Sequence, residues 1–209
     1  EKNLILIKDE VLKEYYVDYL KHLMSVSRAY QNRLQSGLKV AYSGVEGAFA
    51  HIAAGKIFPQ ANRVSYSDFK AAYNSVQNGE CDVAVLPIEN SYAGEVGQTM
   101  DLIFSGNLYI NGIYELEIHQ NLLGLPDATL EDIKKVTSHP QALSQCHEFI
   151  KQHNFTTEES NNTAFAAKIV AESNDKSLAA IASTETAELY ELKVIKANIN
   201  KSSENTTRF

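Results

Sequence analysis

The 209 residues predict an α/β protein with parallel sheets, preceded by one long helix. Strand-like and helix-like stretches alternate from residue 38 to the end, the pattern of an α/β body. Residues 8–35 contain neither Gly nor Pro, so nothing interrupts a helix there. With 44% hydrophobic and 22% charged residues, the composition is globular rather than disordered or fibrous. At about 100–200 residues per domain, the chain is one large domain or two small ones.

The first element is the helix. Leu12, Tyr16, Tyr19, Leu23, Val26 and Tyr30 step alternately by four and three. This heptad seam predicts a helix about 40 Å long at about 1.5 Å per residue. Asp9 suits its N-cap, and Ser36-Gly37 ends it with Gly37 at C′. Tyr15, Leu20, Met24 and Leu34 add a second apolar stripe. One helix cannot bury two stripes, so it must pack on the body, on another copy, or on helices outside this sequence.

The body then reads in order. Residues 38–42 are a strand, 48–58 a helix, 64–66 a strand and 68–77 a helix. Residues 82–88 (Asp-Val-Ala-Val-Leu-Pro-Ile) are a buried strand, followed by a helix at 96–104. Residues 108–113 and 116–123 are strand-like. Residues 135–137 are a short strand, 140–153 a helix, 155–158 a strand and 163–172 a helix. Residues 177–183 are a strand, 184–189 a helix and 193–199 a last strand. About 170 residues make one sheet or two small lobes, and the apolar stretch 108–125 suits a crossover between lobes.

The distinctive polar residues gather just after strands. Ser43 and Gly44-Val45-Glu46-Gly47 follow the first, Glu89-Asn90-Ser91 the third, and Ser138-His139-Pro140-Gln141 the strand at Val136. Asn161-Asn162-Thr163 and Asn205-Thr206-Thr207-Arg208-Phe209 complete the set. In open α/β sheets ligands bind beyond the carboxyl ends of strands, where helix N-termini point. Each cluster also has a plainer reading. Gly44 and Gly47 suit a tight turn, and Asn162 or Thr163 reads equally as an N-cap. Ser138 before Pro140 fits turn chemistry, and a lone His139 fits a structural hydrogen bond. Glu89 after a buried apolar strand must be capped, paired or functional.

Several classes are excluded. The net charge is −7 and no Lys/Arg-rich run exists, which argues against a nucleic-acid partner. No apolar run approaches the 18 or so residues of a membrane span. Cys81 and Cys146 lack C-x-x-C partners and read as buried, reduced thiols of a cytoplasmic protein. No His/Cys/Glu set has metal-ligand spacing, and no G-x-G-x-x-G or Walker lysine motif appears, so neither metal nor nucleotide is expected. The start at Glu1, without Met, reads as a piece of a longer chain.

Taken in order, these motifs resemble the prephenate dehydratase family. The resemblance rests on Gly44-Val45-Glu46-Gly47-Ala48-Phe49 and on Gly79-Glu80-Cys81-Asp82 running into Pro87-Ile88-Glu89-Asn90-Ser91. It continues through Ser138-His139-Pro140-Gln141-Ala142-Leu143 with Gln145-Cys146, Asn162-Thr163-Ala164, and Asn205-Thr206-Thr207-Arg208-Phe209. It covers residues 38–209. It implies two α/β lobes around a cleft, similar to type II periplasmic binding proteins. Lobe one would take residues 38–115 plus 192–209, and lobe two 116–191. In bifunctional members a chorismate mutase domain precedes the dehydratase, and Ser27 and Gln31 fit the spacing of its last helix. Residues 1–37 therefore read as a mutase remnant. Three departures stand out: no regulatory ACT domain follows Phe209, Gly112 is followed by Ile113 rather than Glu, and Asn161-Asn162 replaces the usual Glu or Ser.

The implied reaction converts prephenate to phenylpyruvate and needs no cofactor. By the resemblance, Thr207 donates to the departing ring hydroxyl and Glu89 neighbours it as a proton source. Asn90, Ser91, Ser138, His139, Gln141, Gln145, Asn162, Thr163, Ser43 and Gly44 are expected to hold the substrate. Arg208 fits either a substrate carboxylate or a structural ion pair, and Phe209 would keep water out. Arogenate dehydratase and a catalytically silent binding module are the alternatives. The apolar helix adds a homodimer to the expected partners.

Overall fold

The computed structural model describes residues 8–201 and 205–209. The first seven residues of the expected 1–37 segment lie outside them. Helix α1 (Glu10–Ser36) starts at the expected cap: the Asp9 carboxylate accepts from the N–H groups of Val11 at 2.9 Å and Leu12 at 3.1 Å. Most of its apolar side chains are left uncovered by the body, although Tyr16 and Leu20 are half-buried. Leu12, Tyr15, Tyr19, Leu23, Met24, Val26 and Tyr30 are all exposed, and the Leu34 side chain lies outside the described ones. Among the described residues, no helix is long and apolar enough to cross a membrane.

Lobe one is built on a parallel sheet of three strands, β1 (Lys39–Ser43), β2 (Asn62–Tyr66) and β3 (Val83–Val85), in the order β2-β1-β3. The central strand is buried on both faces, as a parallel strand between helices should be. Its successive side chains point to opposite sides. Val40 and Tyr42 pack under α2 (Phe49–Ile57), whose Ala50, Ala53 and Ala54 allow close approach. Ala41 packs against Ala72 of α3 (Phe69–Gln77) and against Cys81.

A second sheet closes this lobe. It joins β4 (Glu89–Asn90), β5 (Gly94–Glu95), β6 (Glu115–Glu117) and β12 (Thr206–Arg208) in the order β5-β4-β12-β6, with α4 (Gly97–Ser105) following β5. The C-terminal strand therefore returns to lie between β4 and β6, two strands from much earlier in the chain. Its partners are antiparallel, with Thr207 opposite Asn90 on one side and Leu116 on the other.

Lobe two carries a five-stranded sheet, β11-β7-β10-β8-β9. Its strands are β7 (Asn121–Gly124), β8 (Lys135–Ser138), β9 (Thr156–Glu159), β10 (Leu178–Ala182) and β11 (Lys193–Lys196). Ile181, Val136 and Leu122 face α5 (Pro140–Gln145) and α6 (His147–Gln152). Ala180, Ala182 and Leu123 face α7 (Thr163–Ser173) and α8 (Thr184–Leu189).

Several expectations need correction. Residues 108–113 form no strand, and residues 118–120 part the expected strand 116–123 into β6 and β7. That break is the first crossing between lobes. The expected helix 140–153 is two helices meeting at Cys146. The return boundary is misplaced at residue 192: β11 pairs antiparallel with β7, and Val194 packs in the lobe-two core. The return therefore follows β11. The two crossings are laced together, Ile199 N–H donating to the Gln120 carbonyl at 2.8 Å and Ile118 N–H to that of Asn205 at 2.7 Å.

Candidate active site

A cavity of about 730 Å³ lies between the lobes, within the range of small-ligand sites. Lobe one supplies the turn after β1 with Ser43 and Gly44, the turn after β2 from Ser65 to Phe69, and Asn90 with Thr207. Lobe two supplies His139, Gln141, Gln145, Asn162 and Thr163, and the crossing supplies Ile118 and Gln120. The turns follow the carboxyl ends of parallel strands, where that placement is expected.

The β4–β12 pair sets the central geometry. Asn90 is buried, and its carboxamide is committed at both ends. Its Oδ1 accepts from the N–H groups of Tyr92 at 3.0 Å and Ala93 at 2.9 Å, with Gln141 Nε2 at 3.3 Å. Its Nδ2 faces Asn205 Oδ1 and the Thr206 carbonyl, both at 3.0 Å, and Thr207 Oγ at 2.9 Å. An amide nitrogen cannot accept a hydrogen bond. The Thr207 hydroxyl is thus an acceptor from Asn90, and its own proton is free for another partner. Asn90, expected to hold substrate, lines the cleft and also braces the turn at residues 91–93 and contacts Thr207.

Strand alternation separates the rest of that motif. Side chains one residue apart point to opposite faces, and Glu89 and Arg208 lie on the face away from Thr207. Neither lines the cleft. Arg208 Nη1 donates to Glu89 Oε2 at 3.0 Å and its Nε to Glu115 Oε1 at 2.7 Å. Of the two readings of Arg208, the geometry is that of the ion pair, and Glu89 is not the neighbour of Thr207 in the cleft. Phe209 also leaves the expected site. It is buried in the lobe-one core with Val40, Leu116 and Ile118. Ser91 Oγ accepts from Thr206 N–H at 3.0 Å and so braces β12. Ser138 is fully buried, its hydroxyl donating to the Ile181 carbonyl at 2.6 Å. These two hydroxyls lie outside the cleft wall.

The residues that stay in the wall present hydrogen-bond donors rather than cations. No lysine or arginine lines the cavity among the described residues. Helices α2, α3, α5 and α7 begin at it, and free N–H groups at such ends favour anions. Asn162 caps α7 through Phe165 N–H at 2.7 Å, and Asp68 caps α3 through Ala71 N–H at 2.7 Å. The Ala71 N–H and the Ser67 hydroxyl hold the Asp68 carboxyl below its usual range. His139 caps α5, its Nδ1 accepting from Gln141 N–H at 3.2 Å. In the neutral ring the proton therefore sits on Nε2. Burial lowers the His139 pKa, against a raising contribution from Glu159. Gly44 makes the turn itself, with φ of 98°. Gln145 Oε1 accepts from Asn205 Nδ2 at 3.0 Å and Gln120 Nε2 at 3.3 Å. Among the described residues no three His, Cys, Asp or Glu side chains are grouped to hold a metal ion.

Sequence reasoning missed Ser65 to Phe69, Gln98 and Gln120. The turn after β2 obeys the same strand-end rule as the others, so its signal was present in the order strand, Ser-Asp, helix. Gln120 had a signal that went unused: the polar run His119-Gln120-Asn121 interrupts the strand-like stretch between β6 and β7.

Two α/β lobes, joined by paired crossings around a polar cleft without Lys or Arg among its described lining, define a binding or catalytic protein for a small molecule. The comparisons narrow that class. The family model for prephenate dehydratase matches residues 40–209, and the chain belongs to that family. It is 40% identical over 176 residues to arogenate dehydratase 1 of Petunia hybrida, covering 83% of this chain and 42% of that protein. It is 38% identical over 174 residues to the chloroplastic arogenate dehydratase/prephenate dehydratase 2 of Arabidopsis thaliana, covering 83% and 46%. The crystal structure of prephenate dehydratase from Arthrobacter aurescens, in complex with L-Phe, superposes with a TM-score of 0.76. The identity is 29%, over 82% of this chain and 59% of that one. The chain spans less than half the length of these two plant relatives.

Proposed function

We propose that this cleft carries out the decarboxylating dehydration of prephenate to phenylpyruvate, a step of phenylalanine biosynthesis. The ring carboxylate leaves as carbon dioxide. Its electron pair aromatises the ring and expels the ring hydroxyl, which takes one proton and leaves as water. The ring supplies the driving force, so the protein must orient the substrate and ease departure of the hydroxyl.

The observation that carries the reading is the contact between Asn90 and Thr207 at 2.9 Å. It leaves the Thr207 proton available to the departing oxygen. A threonine hydroxyl is a weak acid, so it acts through a positioned hydrogen bond, with the proton replenished from water. Helix N-termini, Thr163 and the His139 Nε2–H serve the substrate carboxylates. Gly44 and Ser43 shape the opposite wall.

A second reading, arogenate to phenylalanine by the same chemistry, is favoured by the names of both plant relatives. The test is to add each substrate to the purified chain and separate the products by chromatography. Phenylpyruvate or phenylalanine above the buffer blank supports the dehydratase. Binding of substrate without either product means a silent binding module.

The exposed stripes of α1 support a homodimer formed through that helix. Light scattering with and without residues 1–36 checks it: a monomer in both cases contradicts the dimer. Ser27 and Gln31, 3.4 Å apart on α1, support the reading of this helix as a mutase remnant without mutase activity of its own. The two free, buried thiols, Cys81 and Cys146, support a cytoplasmic location, whereas the Arabidopsis relative is chloroplastic by name. Fractionation of the source cells decides.

A further inference from the structure

Four carboxamides form a hydrogen-bonded chain, three of them lining the cleft, and each fixes the direction of the next. The N–H groups of Tyr92 and Ala93 fix the Asn90 oxygen, so its nitrogen faces Asn205 Oδ1 at 3.0 Å. The Asn205 nitrogen then reaches Gln145 Oε1 at 3.0 Å, which also accepts from Gln120 Nε2 at 3.3 Å. Exchanging oxygen and nitrogen at Gln120 would set two oxygens against each other, so the assignment follows from the chain of bonds. The result is a buried Gln120 Oε1 with no donor among the described residues.

A buried, unpaired acceptor in a ligand cavity is a demand for a donor. Gln120 lines the cleft and is 2% exposed. It also sits on the crossing, where its backbone is held by Asn200 Oδ1 at 3.0 Å and by Ile199 N–H at 2.8 Å. The oxygen is shielded from water. The terminal torsion of Gln is soft, and the single side-chain bond restraining this carboxamide is long, so a small rotation presents the oxygen to a ligand.

We propose that Gln120 Oε1 accepts a hydrogen bond from a substrate ammonium, which makes the cleft selective for arogenate over prephenate. This rests on the dehydratase chemistry above and favours its second form, arogenate to phenylalanine. A keto side chain offers only acceptors and leaves Oε1 unpaired. An ammonium offers three donors. It also reduces the negative charge brought into a cleft without Lys or Arg, in a chain of net charge −7. The ring hydroxyl is a donor too, but both substrates share it, so it cannot produce selectivity.

The products carry the same contrast without turnover: phenylalanine has the ammonium and phenylpyruvate the ketone. Titration calorimetry of the protein with each gives an affinity ratio, and the fitted stoichiometry corrects for any unfolded fraction. Wild type should favour phenylalanine. Gln120→Met should weaken phenylalanine by about 10- to 100-fold, the worth of a hydrogen bond to a charged group, and phenylpyruvate by less than about threefold. Gln120→Glu should move the ratio the other way. A purely structural role would weaken both ligands together in both variants. That result, or a wild-type ratio near one, overturns the proposal. Turnover separates the two claims. Both substrates converted with an unmoved ratio removes Gln120 and leaves the dehydratase. A shifted ratio with neither substrate converted removes the dehydratase and leaves an amino-group reader.

Discussion

Asn90→Asp keeps the shape of the side chain and reverses the polarity of one edge. In the native chain Asn90 Nδ2 donates toward Asn205 Oδ1, the Thr206 carbonyl and Thr207 Oγ, all within 3.0 Å. A carboxylate oxygen there can only accept. Thr207 then becomes the donor, and its proton turns from the cleft toward the introduced carboxylate. The other two neighbours face an acceptor with an acceptor. Each lost buried bond costs about 1–3 kcal/mol, so the variant should lose about 2–6 kcal/mol of stability. For a chain of this size that is a fall in Tm of about 4–24 °C. Turnover is measured well below the melting point, per mole of folded protein. It should fall by about 10²–10⁴-fold, the worth of a positioned proton donor, with Thr207 still present. A kcat within about tenfold of wild type, in a variant that melts as low as expected, would refute the orientation argument.

The other predictions follow from the same geometry. Glu89→Gln removes an ion pair whose side chains are 44% and 50% exposed, so it should cost about 0–1 kcal/mol and leave kcat within about threefold; a hundredfold loss would return Glu89 to the chemistry. Burial lowers the pKa of His51, with Arg63 adding to the effect, and of His139, against Glu159. The unfolded chain therefore binds protons that the folded chain refuses. Stability should hold above about pH 6.5 and decline as pH falls below it. Urea midpoints at pH 8, 7, 6 and 5 check this; His139→Asn should flatten the decline, and equal slopes would count against it. Burial pushes the Cys146 thiol up to about 12, so iodoacetamide at about pH 8 should label it only in urea, as mass spectrometry would read; rapid labelling of the native protein would contradict its burial.

The body was legible where a strand is a continuous apolar run between helices. Residues 40–42 and 178–182 are such runs, and both lie in central strands. Legibility failed at residues 116–123, where the polar run 119–121 was read through as strand; the break there is held by bonds to Ile199, Asn200 and Asn205, which are remote in sequence. The site was legible as positions and not as directions. Strand ends named turns that line the cleft, yet only the antiparallel pairing of β12 with β4 shows that Asn90 and Thr207 share one face and Glu89 and Arg208 the other. Two-residue periodicity alone would have separated the pairs but not said which faces the ligand. Ser138 lies in a turn that borders the cleft, yet its hydroxyl turns inward to the Ile181 carbonyl, a choice that needs the neighbouring strand β10. Phe209 could not be told from a cleft wall until β12 was known to lie inside the lobe-one core.

The central claim is that the Thr207 hydroxyl, held by Asn90, assists departure of the ring hydroxyl. Thr207→Val tests it most directly. The valine keeps the branched shape, and Asn90 Nδ2 retains Asn205 Oδ1 and the Thr206 carbonyl, each at 3.0 Å. No buried donor is orphaned, so stability should change by less than about 1 kcal/mol. Turnover of prephenate and arogenate should fall by about 10²–10⁴-fold, or about 3–5 kcal/mol of transition-state stabilisation, with KM little changed. Thr206→Val, one residue along the strand and on the opposite face, should stay within about threefold of wild type. A Thr207→Val variant that keeps more than about a tenth of the wild-type kcat would contradict the account.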